Sequence, residues 1–126
     1  MHVTGLVREP EIWASMCRRF PWVVEERGDL GEGLVHLDFA ALRRGVEKAA
    51  DSADVPTASE ILAFVEDLVQ RIDALHPEVV NALDVSFLLD LYLAEPQQRD
   101  FAIPLLQPKS RERWKEISEG YDRRSG

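Results

Sequence analysis

Apolar side chains recur every three to four positions through most of this chain, the spacing of one face of an α-helix. Ile12, Met16 and Phe20, flanked by Trp13 and Cys17, predict a first helix over residues 10–20, with Pro10 in its first turn. Phe20-Pro21 ends it, because the residue before a proline is pushed out of the helical region. Over residues 21–34 the period gives way to Glu25, Glu26, Asp29 and Glu32 among Gly28, Gly31 and Gly33, which predicts a loop with room for one helical turn at its start. Val35, Phe39, Leu42, Val46 and Ala49 then make a stripe that predicts a second helix from Val35 or Asp38 to Ala50. The alternation in Leu34 to Phe39 also admits a short strand, ranked below the helix. After a polar connector at 51–56, Thr57 and Glu60 have the spacing of a capping box. Ile61, Val65, Leu68, Ile72 and Leu75 follow as the stripe of a third helix.

His76-Pro77 breaks that run, and Pro77 suits the first position of a fourth helix reaching about Leu93. Val80, Leu83, Phe87, Leu88 and Leu91 leave it apolar around most of its girth, which predicts the most buried helix of the fold. The short break predicts a hairpin with helix three. A short helix over 97–106, ending at Pro104, precedes a last one from Lys109 to about Tyr121, with Trp114, Ile117 and Tyr121 facing inward. The fold class expected is all-α: one domain over 1–126, a single compact bundle of five or six helices. Its ends, at about 1–9 and 122–126, are expected to be loosely ordered.

Composition agrees with that picture. A chain of 126 residues with 45% hydrophobic residues is long enough to build a core unaided. Its single cysteine, Cys17, excludes an internal disulfide and a cysteine-rich zinc site. The N-terminal residues lack the pattern of a signal peptide. The longest apolar run, Val85 to Ala94, is interrupted by Asp90 and falls short of the roughly 20 residues a membrane span needs. The expectation is a soluble cytoplasmic protein.

Charge sharpens it. The net charge of −8 is spread unevenly: residues 1–24 carry +1, residues 25–100 carry −11 and residues 101–126 carry +2. Nucleic-acid binding needs a basic field to displace phosphate counterions, so the middle of the chain argues against it. An acidic field suits a basic partner, or only keeps the protein soluble.

Candidate chemistry is sparse. His2, His36 and His76 include no pair at the four-residue spacing of helical zinc sites, so no metal and no cofactor is expected. Cys17 lies on an apolar stripe and reads as a small core residue. The glycines at 28, 31 and 33 match no phosphate loop. Asp84 and Asp90 stand within the most apolar segment and must be paired or peripheral; one is expected to be exposed and the other to meet Arg43, Arg44 or Arg71. The enzymatic alternative is a site assembled from His36, Asp38 and Asp84. Trp13 and Trp114 fall on apolar stripes, whereas Trp22 follows Pro21 beside the acidic stretch and is the aromatic best placed for a binding surface.

Several segments together carry a resemblance: Phe20-Pro21; Leu34-Val-His-Leu-Asp-Phe-Ala40; Phe64-Val-Glu-Asp-Leu68; Val80-Asn-Ala-Leu-Asp-Val-Ser-Phe-Leu88; and Leu105-Leu-Gln-Pro108 with Trp114. This order resembles a family of small bacterial all-helical proteins similar to the immunity proteins of polymorphic toxin systems. Where the pattern tends to have a glutamate after Ser-Phe-Leu, this chain has Leu89, a departure that speaks against catalysis. The resemblance implies an all-helical fold; the −11 central segment and the absence of a catalytic constellation, taken with it, lead to the expectation of a non-catalytic protein that binds and occludes a cognate toxin. Trp22, Glu25, Glu26, Asp29 and Glu32 are the expected contacts with that basic protein partner. The third option is a homodimeric regulatory module.

Overall fold

The computed structural model describes residues 5–28 and 35–125. Among them the fold is all-helical, with seven helices rather than five or six. They are α1 (Glu9–Arg19), α2 (Val23–Arg27), α3 (Val35–Asp51) and α4 (Val55–Gln70). Helix α5 starts as Pro77–Ala82, widens into a π-turn over Leu83–Leu89 and closes as Asp90–Tyr92. Helix α6 is Pro96–Ala102, tightened at its end into the 3-10 turn Ile103–Leu105, and α7 is Pro108–Ser125. The additional helix is α2, in the segment expected to be a loop. It lasts five residues because Gly28, at a φ of 81° that side-chain-bearing residues rarely adopt, closes it with its N–H on the Val24 carbonyl.

Most helix limits follow local chemistry. Helix α1 carries Glu9 and Glu11 in its first turn and Arg18 and Arg19 in its last, the arrangement its dipole favours. Residues from Val35 onward are helical, so the strand alternative for Leu34–Phe39 falls; Leu34 itself lies outside the described residues. Helix α4 begins earlier than its supposed capping box. Asp54 is the cap, accepting from the Thr57 N–H and hydroxyl at 3.2 and 2.7 Å, and Glu60 is exposed. Pro56 explains the shift: it lacks an N–H and is preset for a first helical turn, so the start falls before it. His76 caps α5, its Nδ1 accepting from the Glu78 N–H at 3.1 Å.

Two tertiary expectations fail. Helix α5 is not the centre of the bundle; α3 is, packing against α1, α2, α4, α5 and α6. Phe87, Leu83, Leu88 and Leu91 are fully buried as expected, but Val85 and Leu93 of the same region face solvent at 40% and 51% exposure. Nor do α4 and α5 form a close hairpin. The 3-10 turn Ile72–Ala74 and a parallel bridge between Val7 and Leu75 intervene, and α4 instead packs on α3 and α7. That bridge also ties residues 5–8 down: the Val7 N–H donates to Ala74 O and the His76 N–H to Val7 O, both at 2.8 Å. At the other end α7 stays helical to Ser125.

One buried carboxylate holds the last helix in place. Glu66 of α4, 2% exposed, accepts from the Ser110 N–H and hydroxyl at 2.8 and 2.9 Å, the Lys109 N–H at 3.3 Å and the Gln70 amide at 3.0 Å. It caps the N-terminus of α7 from a neighbouring helix, satisfying amides that a helix start leaves without intrahelical partners. Burial alone raises its pKa, but these hydrogen bonds outweigh burial and hold the carboxyl below the usual glutamate range. Among the described residues no helix is long and apolar enough to cross a membrane.

Candidate functional site

The acidic segment expected to meet a partner begins in α2, and the structure divides its residues. Trp22 is half-buried at the entry to α2, its ring 5.8 Å from that of Phe20 and laid across α3 at Gly45. A Cβ at Gly45 would overlap the indole, with two ring carbons only 2.8 and 2.9 Å away, so glycine is what admits the ring. Trp22 is therefore a packing residue with one exposed side, not a free surface aromatic. Glu26 faces inward along α3. Arg44 donates to its carboxylate at 3.2 Å and to its carbonyl at 2.7 Å, and the Lys48 ammonium bonds its other oxygen. The Lys48 hydrogen bond is the main cause that lowers the Glu26 pKa; burial opposes it and Arg44 adds to it. Glu26 is thus committed within the fold. Pro21, Val24 and Glu25 remain exposed, Val24 at 50%. Asp29 and Glu32 lie outside the described residues.

Beneath that edge is a charged cluster in the core. Asp38 of α3 is fully buried, and Arg27, the last residue of α2, donates to its Oδ1 at 2.6 Å. Glu9 of α1, 9% exposed, stands 3.8 Å from the same guanidinium nitrogen. The guanidinium also lies over the Trp13 ring, 3.9 Å from its centroid. Two carboxyls therefore share one cation, and Glu9 Oε2 and Asp38 Oδ2 have no other partner. A proton held between Asp38 and Glu9 would leave a single negative charge facing Arg27. Burial pushes the Asp38 pKa up to about 7, helped by the hydrogen bond and charge of Glu9 and opposed by Arg27. Burial likewise raises the neighbouring Cys17 thiol, which disfavours the nucleophilic thiolate.

The enzymatic alternative required His36, Asp38 and Asp84 to converge, and they do not. His36 is exposed, its Nδ1 2.7 Å from the Ser86 hydroxyl in the π-turn, where Arg43 also donates to the Ser86 carbonyl at 3.2 Å. Asp38 is held in the cluster with Arg27. Asp84 forms a two-pronged pair with Arg113 of α7, at 2.6 and 2.7 Å. Its partner is therefore none of the arginines expected; Arg43 instead lies 4.0 Å from Asp90, which is 42% exposed. A cleft of about 450 Å³ between α5 and α7 includes Asp84 but neither His36 nor Asp38. Among the described residues, no cluster of histidine, cysteine and carboxylate side chains is placed to hold a metal ion.

Sequence reasoning missed Glu9, Arg27 and Glu66. Asp38 had left a signal, since it stands three residues after Val35 and four before Leu42 on the core stripe, a position that demands a buried partner. The geometry defines a helical protein in which Glu26, Asp38, Glu66 and Asp84 are engaged within the fold, while Glu25 and Val24 of α2 face solvent. Residues 14–121 match the family described as Domain of unknown function (DUF7674), and the chain belongs to that family. No curated protein and no solved structure matches it.

Proposed function

We propose that this is a non-catalytic binding protein whose docking edge is α2 and the acidic stretch that follows it. The observation that supports this most is the division of labour among its polar groups. His36, Asp38 and Asp84, the residues suited to chemistry, are separated and each is engaged by a different internal partner. On α2, by contrast, Val24 and Glu25 face solvent beside the exposed side of Trp22. An apolar side chain beside a solvent-facing carboxylate supplies the two parts of a small docking surface, an anchor to set the lifetime of a complex and a charge to steer its formation. The charge of −11 over residues 25–100 selects a basic partner.

In its most concrete form the proposal is a cytoplasmic immunity-type protein that occludes a cognate basic toxin. It is tested by co-expressing the chain with the product of the adjacent open reading frame. Co-purification of the two, with relief of that product's toxicity, supports it. A toxic neighbour that neither binds nor is neutralised counts against it. A monomer by light scattering sets aside the homodimeric regulatory module.

A further inference from the structure

On this acidic protein a groove beside the last turns of α1 is lined by three arginines. Two cavities of about 320 and 200 Å³ share Ser15, Arg18 and Arg71, so they adjoin on the surface. Arg18 and Arg19 come from the last turn of α1, and Arg71 from the residue that follows α4. Two of the three are held in place. Arg18 donates to the Ser15 hydroxyl at 3.2 Å, and the Arg19 guanidinium lies over the rings of Phe20 and Phe64, 5.5 Å from each centroid. Arg19 also stands 3.8 Å from Asp67, whereas Arg18 and Arg71 have no carboxylate partner among the described residues. Val7 and Ala14 supply accessible apolar surface beside the charges, whereas Ile12 and Phe64, also in the lining, are buried.

We propose that this groove binds a short acidic segment of a partner protein, with carboxylates on Arg18 and Arg71 and an apolar side chain between them. Charge complementarity selects the occupant. Three guanidiniums face Glu11 and Asp67, which leaves the lining net positive on a chain of net charge −8. Planar guanidiniums grip carboxylates through paired N–H donors, and Arg18 is already oriented by its bond to Ser15, so less of its rotamer freedom is lost on binding. Length follows from the helix: Glu11 to Arg18 spans roughly 10 Å at 1.5 Å per residue, the reach of three to four residues of extended chain. The accessible apolar surface at Val7 and Ala14 suits a segment that carries apolar as well as acidic side chains.

The test uses the full chain and a defined probe. Acetyl-Glu-Leu-Glu-Leu-amide is titrated into the 15N-labelled protein, with acetyl-Lys-Leu-Lys-Leu-amide and pyrophosphate titrated separately. The acidic peptide is expected to shift amides around Ser15, Arg18 and Arg71, and the lysine peptide to leave them in place. Arg71→Glu is expected to weaken binding at least tenfold. Ser15→Leu is expected to do the same while keeping every charge, because it fills the point where the two cavities meet; leucine favours the helix more than serine, so folding is preserved. Raising salt from 50 to 500 mM is expected to weaken binding severalfold. Absence of shifts at millimolar peptide, equal shifts with the lysine peptide, or unaltered binding in Ser15→Leu would overturn the proposal. So would pyrophosphate binding where the peptide does not, since the groove would then hold a phosphate ligand rather than a protein segment.

Discussion

Replacing Asp38 with Asn should abolish a fall in stability as pH rises. Asp38 is fully buried, and its pKa is raised from 3.8 to about 7. A raised carboxyl binds its proton more tightly in the folded state than in the unfolded one. Between about pH 4 and pH 7 the native protein therefore holds a proton that the unfolded chain has released, and stability falls as pH rises through that window. A shift of about three units at about 1.4 kcal/mol each sets a ceiling near 4 kcal/mol, and relaxation around the ionised pair brings the expected loss to about 2–4 kcal/mol. In Asp38→Asn the amide N–H donates to Glu9 at every pH, Arg27 balances one carboxylate instead of two, and the slope vanishes. Urea and thermal unfolding followed by helical circular dichroism at pH 5, 6, 7 and 8 measure it. The native chain should be weakest at pH 8, and the variant there should exceed it by on the order of 10 °C in Tm. A native chain as stable at pH 8 as at pH 5, or a variant with the native slope, would refute the shared-proton reading.

Three other outcomes follow from the packing. Gly45→Ala should destabilise by about 1–3 kcal/mol despite alanine's better helix propensity, because its Cβ displaces the Trp22 ring; thermal unfolding, with Trp22 fluorescence read in a background lacking the other two tryptophans, should show both the loss and a red shift. Glu66→Ala should cost about 3 kcal/mol by leaving the α7 amides without their acceptor, measured by chemical denaturation; since the Glu66 pKa is lowered, its contribution is present above the unfolded glutamate pKa and is lost as pH falls through the lower, folded value. Ala53→Gly should stabilise by about 0.5–1 kcal/mol in the same assay, since Ala53 is exposed with a φ of 53°, a region that penalises a Cβ.

What the sequence made legible was local. The stripe Ile12, Met16, Phe20 and the run around Phe87 are buried where their period placed them, and His76 caps the helix after it. Helix α2 escaped because Val23 to Arg27 is too short to display a period, and its closure depends on one glycine. The start of α4 was misplaced because two residues, Asp54 and Thr57, both had cap chemistry; the chain position of Pro56 decides between them. The central helix could not be read from apolar content alone. Helix α3 is less apolar than α5, yet it buries the small residues Ala41, Gly45 and Ala49, and Gly45 admits the Trp22 ring. The acidic site was only partly legible for a related reason. A count of charges does not separate Glu25, which faces solvent, from Glu26, which is neutralised by Arg44 and Lys48 arriving from 18 and 22 residues away. Composition presents both as partner-binding carboxylates.

That difference supplies the most direct test of the docking edge. The association rate with the product of the adjacent open reading frame is measured at 50 and 300 mM salt for the native chain, Glu25→Lys and Glu26→Lys, with the Tm of each. Glu25→Lys should slow association and flatten its salt dependence while leaving Tm unchanged, because an exposed rim charge steers encounter and adds little to folding. Glu26→Lys should lower Tm by stranding Arg44 and Lys48 beside a third cation. Unchanged association in Glu25→Lys at both salt concentrations would mean that α2 presents only a solvated face, and would contradict the account.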